Sequence, residues 1–165
     1  MLAATPAILP SPAAAICYYN GKFDVRTTIP QEFADSKWVV RIRVLSAKDG
    51  IFRAGTDEET SWTTYKIRVI RSYKDKAPKE LTFFTERNSG GFYMDRPWLK
   101  LPAGHDVGGE YLLFLNPNAW SGTNAAPKSS VFVNYPCGQS KAWREMSPWS
   151  RRLLDNLSNN HRPKI

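Results

Sequence analysis

Two cysteines, two histidines and one glycine-rich loop are what this chain offers to covalent or metal chemistry. Cys17 and Cys137 stand 120 positions apart. A redox pair reads Cys-x-x-Cys, and a structural zinc site takes about four ligands at short spacings, so neither chemistry fits. What remains is a disulfide or two buried thiols, and an even cysteine count in an exported chain favours the disulfide. Closing so long a loop would remove about 4–5 kcal/mol of unfolded-state entropy in the chain-entropy account. His105-Asp106, within "PAGHDVGG", has the residue types of a general base and its orienter. No Gly-x-Ser-x-Gly elbow or other nucleophile setting accompanies it. A solvated loop pair is therefore expected, and no catalytic residue is assigned. Ser89-Gly90-Gly91 lacks the Gly-Lys-Ser/Thr ending and following helix of a phosphate-cradling loop. It reads as a tight turn needing positive φ. No metal or other cofactor is expected.

Charge points elsewhere. The chain has a formal net charge of +8, which attracts anions: nucleic acid, an acidic membrane surface or an acidic partner. Arg41, Arg43, Lys66, Arg68 and Arg71 could line a basic surface, with Trp62, Tyr73, Phe92, Tyr93 and Trp98 as platforms for bases to stack on. The competing account makes these arginines the wet sides of two strands and the aromatics core or rim.

The elements that must position these groups are mostly strands. In "KWVVRIRVLSAK", Val40, Ile42 and Val44 alternate with Arg41 and Arg43, a period of two with one dry and one wet face. "SWTTYKIRVIRSYK" alternates in the same way, and "KDGIFRAGTDEET" between them reads as a polar turn. "KAPKELTFFTER" gives a third strand, "EYLLFLNP" a strand buried on both faces, and "SVFVNYPC" a further strand leading to Cys137. "IPQEFADSKW" can form a short helix before the first strand. At the other end a helix over 147–157 starts at Ser147 and Pro148. Trp149, Leu153 and Leu157, with Leu154 beside them, form its apolar stripe. Five short strands and a terminal helix predict a small, mainly antiparallel barrel. The connection "NSGGFYMDRPWLKLPAGHDVGG" is long enough to be functional.

Residues 1–15 are uncharged, rich in alanine and proline, and end with small residues at Ala13 and Ala15. They read as the remnant of an export signal, leaving 16–165 as a single domain. The order "EFADSKWVVRIRVLS", "TTYKIRVIRSYK", "LTFFTERNSGG", "VGGEYLLFLN" and "CGQSKAW" resembles the bacterial relatives of the tissue inhibitors of metalloproteinases, the netrin-like domains. The resemblance spans roughly residues 17 to 157. It implies a five-stranded OB-like antiparallel barrel with a short N-terminal and a C-terminal helix, in an exported protein. Inhibition in that family depends on a mature chain beginning at cysteine, whose amine and carbonyl chelate a protease zinc. Here the small-x-small pattern puts the cut before Ile16, and Tyr18-Tyr19 follows Cys17 where the animal inhibitors read Cys-x-Cys.

The expectation is a periplasmic or extracellular module that binds a protein partner, a peptidase among the candidates, and performs no catalysis. Tyr93, Arg96 and Trp98 in the long connection are its expected contact residues, because aromatic and arginine anchors dominate interfaces. The alternatives are a metallopeptidase inhibitor acting through an N-terminal cysteine and an OB-type binder of single-stranded nucleic acid. No segment is apolar for long enough to cross a bilayer as a helix.

Overall fold

Alternating apolar and charged residues pull two long strands into register around one dry interior. The computed structural model describes residues 18–23, 25–53, 55–56, 59–87, 91–96, 104–117 and 126–161. Its described elements are β1 (Tyr18–Tyr19), β2 (Lys22–Phe23), α1 (Ile29–Asp35), β3 (Trp38–Phe52), β4 (Thr60–Lys74), β5 (Glu80–Glu86), β6 (Glu110–Pro117), β7 (Ser130–Val133), β8 (Lys141–Ala142) and α2 (Pro148–His161). A 3-10 turn, Trp143–Glu145, precedes α2. The protein is mainly β with two helices among the described residues.

Five strands follow one another in the order β3, β4, β5, β7, β6, and β6 pairs back onto β3 to close a ring. The pairings are antiparallel except β5 with β7, which is parallel. β8 adds to β6, and β1 and β2 form a separate small hairpin. Val40, Ile42, Val44, Tyr65, Ile67, Phe83, Leu113 and Leu115 fill the interior of the ring. Every residue from Tyr111 to Leu115 is buried, as the unbroken apolar run of "EYLLFLNP" predicts. Leu113 and Leu115 face the ring interior. Leu112 and Phe114 face outward, into a second core with Val39, Tyr73, Ile29, Phe33, Met146 and Leu154 beneath the two helices.

The polar stretch after β3 departs from the expected turn. β3 runs on to Phe52 and β4 begins at Thr60, so the hairpin extends further than the core that it serves. Gly50 lies opposite Trp62. A Cβ on Gly50 would fall 2.1 Å from the indole, so this glycine makes room for a cross-strand ring and does not end the strand. α2 also outlasts its expected end at residue 157, running to His161. Its start is as expected, with the Ser147 hydroxyl accepting the Ser150 amide at 3.1 Å. Trp149 does not dock: it is 63% exposed, whereas Leu154 is fully buried.

α1 starts with a capping box in which the Thr28 hydroxyl accepts the Gln31 amide and the Gln31 side chain accepts the Thr28 amide at 2.8 Å. Its Glu32 turns inward and accepts from the Thr27 hydroxyl and, at 2.8 Å, from the Gln139 amide. Tyr19 meets Tyr135 with ring centroids 5.0 Å apart. The start of the described chain is thereby fastened to the turn after β7.

Candidate functional site

The connection from β5 to β6 folds back on itself before it reaches β6. Asp95 bridges His105 in antiparallel fashion. The Arg96 amide donates to the Gly104 carbonyl and the Asp106 amide to the Met94 carbonyl, both at 2.9 Å. Extended backbone alternates its side chains, so Asp95 and His105 face one way while Met94, Arg96 and Asp106 face the other. Each face has its own polar network.

On the first face, His105 Nδ1 is 2.9 Å from Asp95 Oδ1, and Nε2 is 2.9 Å from Asp49 Oδ2. Arg87 donates to Asp95 Oδ2 at 2.5 Å and to the Thr63 hydroxyl at 2.6 Å. Thr63 in turn donates to Asp49 at 2.5 Å. The buried Tyr65 hydroxyl donates to Asp95 at 2.9 Å, and burial with the neighbouring Asp95 carboxylate pushes its pKa up. Burial disfavours the Asp95 charge, but bonds from Arg87, His105 and Tyr65 outweigh it and hold the carboxyl below the usual range. Asp49 is likewise held low against burial by Thr63 and His105. The hub ties the outer part of the β3–β4 hairpin to the connection.

On the second face, Asp106 has a side chain only 2% exposed and meets Arg96 Nε at 2.5 Å and Arg144 at 3.2 Å. The Tyr111 hydroxyl donates to it at 3.0 Å. These bonds keep its carboxyl low despite burial. Four residues on, Glu110 is also shared by two arginines, Arg41 and, at 2.6 Å, Arg43. The bond from Arg43 leads in holding its carboxyl low.

This geometry corrects the reading of His105-Asp106 as a base with its orienter, or as a solvated pair. Adjacent residues in extended backbone point apart, so Asp106 serves Arg96 and Arg144, and the carboxylates on the imidazole are Asp95 and Asp49. The His105 side chain is only 17% exposed. Both of its nitrogens are engaged by carboxylates, an arrangement that clamps the connection to the β3–β4 hairpin. Gly91 is also reassigned. It is not among the glycines with positive φ, and its need is space, since a Cβ would fall 2.2 Å from the Thr85 hydroxyl. Ser89 and Gly90 lie outside the described residues.

Of the expected contact residues, Tyr93 is half-buried beneath the Arg87 guanidinium, 4.6 Å from its ring, and donates to the carbonyls of Glu86 and Arg87 at 3.0 and 2.6 Å. Arg96 reaches Asp106 as described, and Trp98 lies outside the described residues. Among the described residues the stacking platforms do not assemble into one open face. Tyr73 is buried, Phe92 packs on Phe83 and Tyr111 in the core, and Trp62 covers Gly50 and Phe84. Cys17, on which the inhibitor alternative and the disulfide turn, lies outside the described residues, as do residues 1–15. Among the described residues no group of three or more His, Cys, Asp or Glu is arranged to hold a metal, and no helix is long and apolar enough to cross a membrane.

Asp49, Arg87 and Asp95 are absent from the sequence reading. Asp49 lies 56 positions from His105 and meets it only because β3 outlasts the core. Compared with known proteins, the chain matches no family model and no curated sequence.

Proposed function

We propose that this chain is an exported, OB-like module of the netrin type, periplasmic or extracellular, that binds a protein partner and performs no chemistry of its own. One observation supports this most. The connection between β5 and β6 is clamped on both faces, by Asp49, Arg87, Asp95 and His105 on one and by Arg96, Asp106 and Arg144 on the other. Holding the described stretches of a connection in place lowers the entropic cost of binding through it, the usual arrangement of a binding loop on a rigid frame. Arg96 ends the first described stretch, and Trp98 stands two positions on in the sequence. The Cys17–Cys137 disulfide belongs to the proposal, supported by the contact of Tyr19 with Tyr135, each two positions from a cysteine.

The test is affinity capture from an extracytoplasmic fraction with the purified chain and with Trp98→Ala and Arg96→Ala variants. The wild type should retain one defined protein, and each variant should bind it at least tenfold more weakly when the pair is reconstituted from pure components. Equal affinity for all three chains would remove the connection from the interface.

A further inference from the structure

On the described surface Arg41, Arg43, Arg68 and Arg71 outnumber the three carboxylates that they meet, Glu110, Glu80 and Asp155. Asp106 and Glu110 are each shared by two guanidiniums, Arg96 with Arg144 and Arg41 with Arg43. Glu110 offsets one of the two charges on Arg41 and Arg43, so that trio keeps one positive charge. The exposure is lopsided as well. The side chains of Asp106 and Glu110 are 2% and 20% exposed, while Arg96, Arg144 and Arg43 are 39%, 47% and 55% exposed. In these trios guanidinium N–H faces solvent with the acids beneath it, whereas Glu80 and Asp155 are about as exposed as the arginines they meet.

The belt continues across the sheet. Arg41 lies directly opposite Arg71, and Arg43 opposite Arg68. Like charges opposite one another on adjacent strands destabilise a sheet, so two rungs of this kind, separated only by Ile42 opposite Val69, call for a purpose. Arg68 and Arg71 meet Glu80 and Asp155 one to one, which leaves the belt net positive. Ile70, at a register shift between these arginines, is 44% exposed.

We infer that this belt is a docking surface for an extended, carboxylate-rich segment of a protein partner. The inference rests on the partner-binding reading above and gives that partner its chemistry. Planar guanidiniums take carboxylates through paired N–H bonds, and within the belt Arg41 and Arg68 each already turn two N–H groups onto one carboxylate oxygen, of Glu110 and Glu80. Alternate residues of an extended segment recur about every 6.6–6.8 Å, which matches the spacing of Arg41 and Arg43 along β3. Ile70 supplies an apolar contact for a side chain between two acids. A nucleic acid would want open rings for its bases, and the two rings that the belt's arginines cover are taken. Trp143 is held between Arg41 at 4.4 Å and Arg151 at 4.7 Å, and the buried Tyr73 lies under Arg71 at 4.5 Å.

The experiment is fluorescence anisotropy with a labelled twelve-residue peptide of alternating glutamate and valine, at low and physiological salt. A DNA single strand and a sulfated polysaccharide of equal charge serve as competitors. The wild type should bind the peptide, more weakly as salt rises. Arg43→Glu/Arg68→Glu should lose at least tenfold, and the milder Arg43→Gln/Arg68→Gln should lose part of that with an unchanged melting temperature. Peptide affinity unaffected by either pair overturns the inference. So does tighter binding of the DNA or the polysaccharide, which would make the belt a general polyanion surface. If the peptide fails while capture of a partner still depends on Trp98, the belt inference falls alone and the binding module stands.

Discussion

Glu32 is fully buried, accepts from Thr27 and Gln139, and has no hydrogen-bonding partner at Oε2. Burial raises its pKa above the ordinary carboxylate range, against the pull of Thr27, Gln139 and Lys141. The folded pKa exceeds the unfolded one, so the native state binds the proton more tightly. The stability this brings is present below the unfolded value and is lost as the pH rises through the folded value. Glu32→Gln keeps an acceptor for the Gln139 amide and removes the titration. Urea unfolding from pH 4 to 9 should show the wild type losing about 1.4 kcal/mol for each unit by which the pKa is raised, with that component flat in the variant. Equal slopes in the two chains would clear Glu32 of the effect. The neighbouring Gly138 shows how tight the site is, because a Cβ there would fall 2.1 Å from Glu32 Oε1.

Helix α2 shows what spacing reveals of an element and where it misleads. Trp149, Leu153 and Leu157 recur every four residues, but a helix turns every 3.6, so such a row drifts about 40° per step and cannot all face the core. Leu154 sits at the centre of the buried face, Leu153 and Leu157 lie on one flank, and Trp149 has rotated out to 63% exposure. The other flank is polar: Arg151 covers Trp143 at 4.7 Å and Asp155 pairs with Arg71 at 2.7 Å. Leu154→Ala should therefore cost about 2–5 kcal/mol, while Trp149→Ala should stay within about 0.5 kcal/mol in denaturant melts. Comparable losses would restore the row as the docking face. The strands were legible for the same physical reason that the hub was not. Alternation in "KWVVRIRV" reports the dry face of β3 directly. The outer part of β3 has no such face, so its polar residues read as a turn. The contact of Asp49 with His105 depends on pairing and ring closure, which local patterns do not encode.

At the scale of the whole molecule, the ring closes through β3 and β6, both of which follow α1. The described segment before α1 takes no part in that closure. It is held to the turn after β7 by side chains: Tyr19 on Tyr135, the Tyr135 hydroxyl donating to the Val25 carbonyl at 3.0 Å, and Gln139 Nε2 donating to the Thr27 carbonyl at 2.6 Å. Tyr19 also donates to Asp35, and burial together with that carboxylate pushes its pKa up to about 12. A covalent tie at residues 17 and 137 would act at the point where these contacts converge, and would span most of the chain. The proposed bond predicts that exported protein weighs two hydrogens less than the reduced chain. It also predicts that reduction lowers the melting temperature by on the order of 10 °C, from the loop-closure term and the size of the domain. Alkylation of both thiols in unfolded, unreduced protein would show that no covalent tie joins residues 17 and 137. Reduction would then leave the melting temperature where it was.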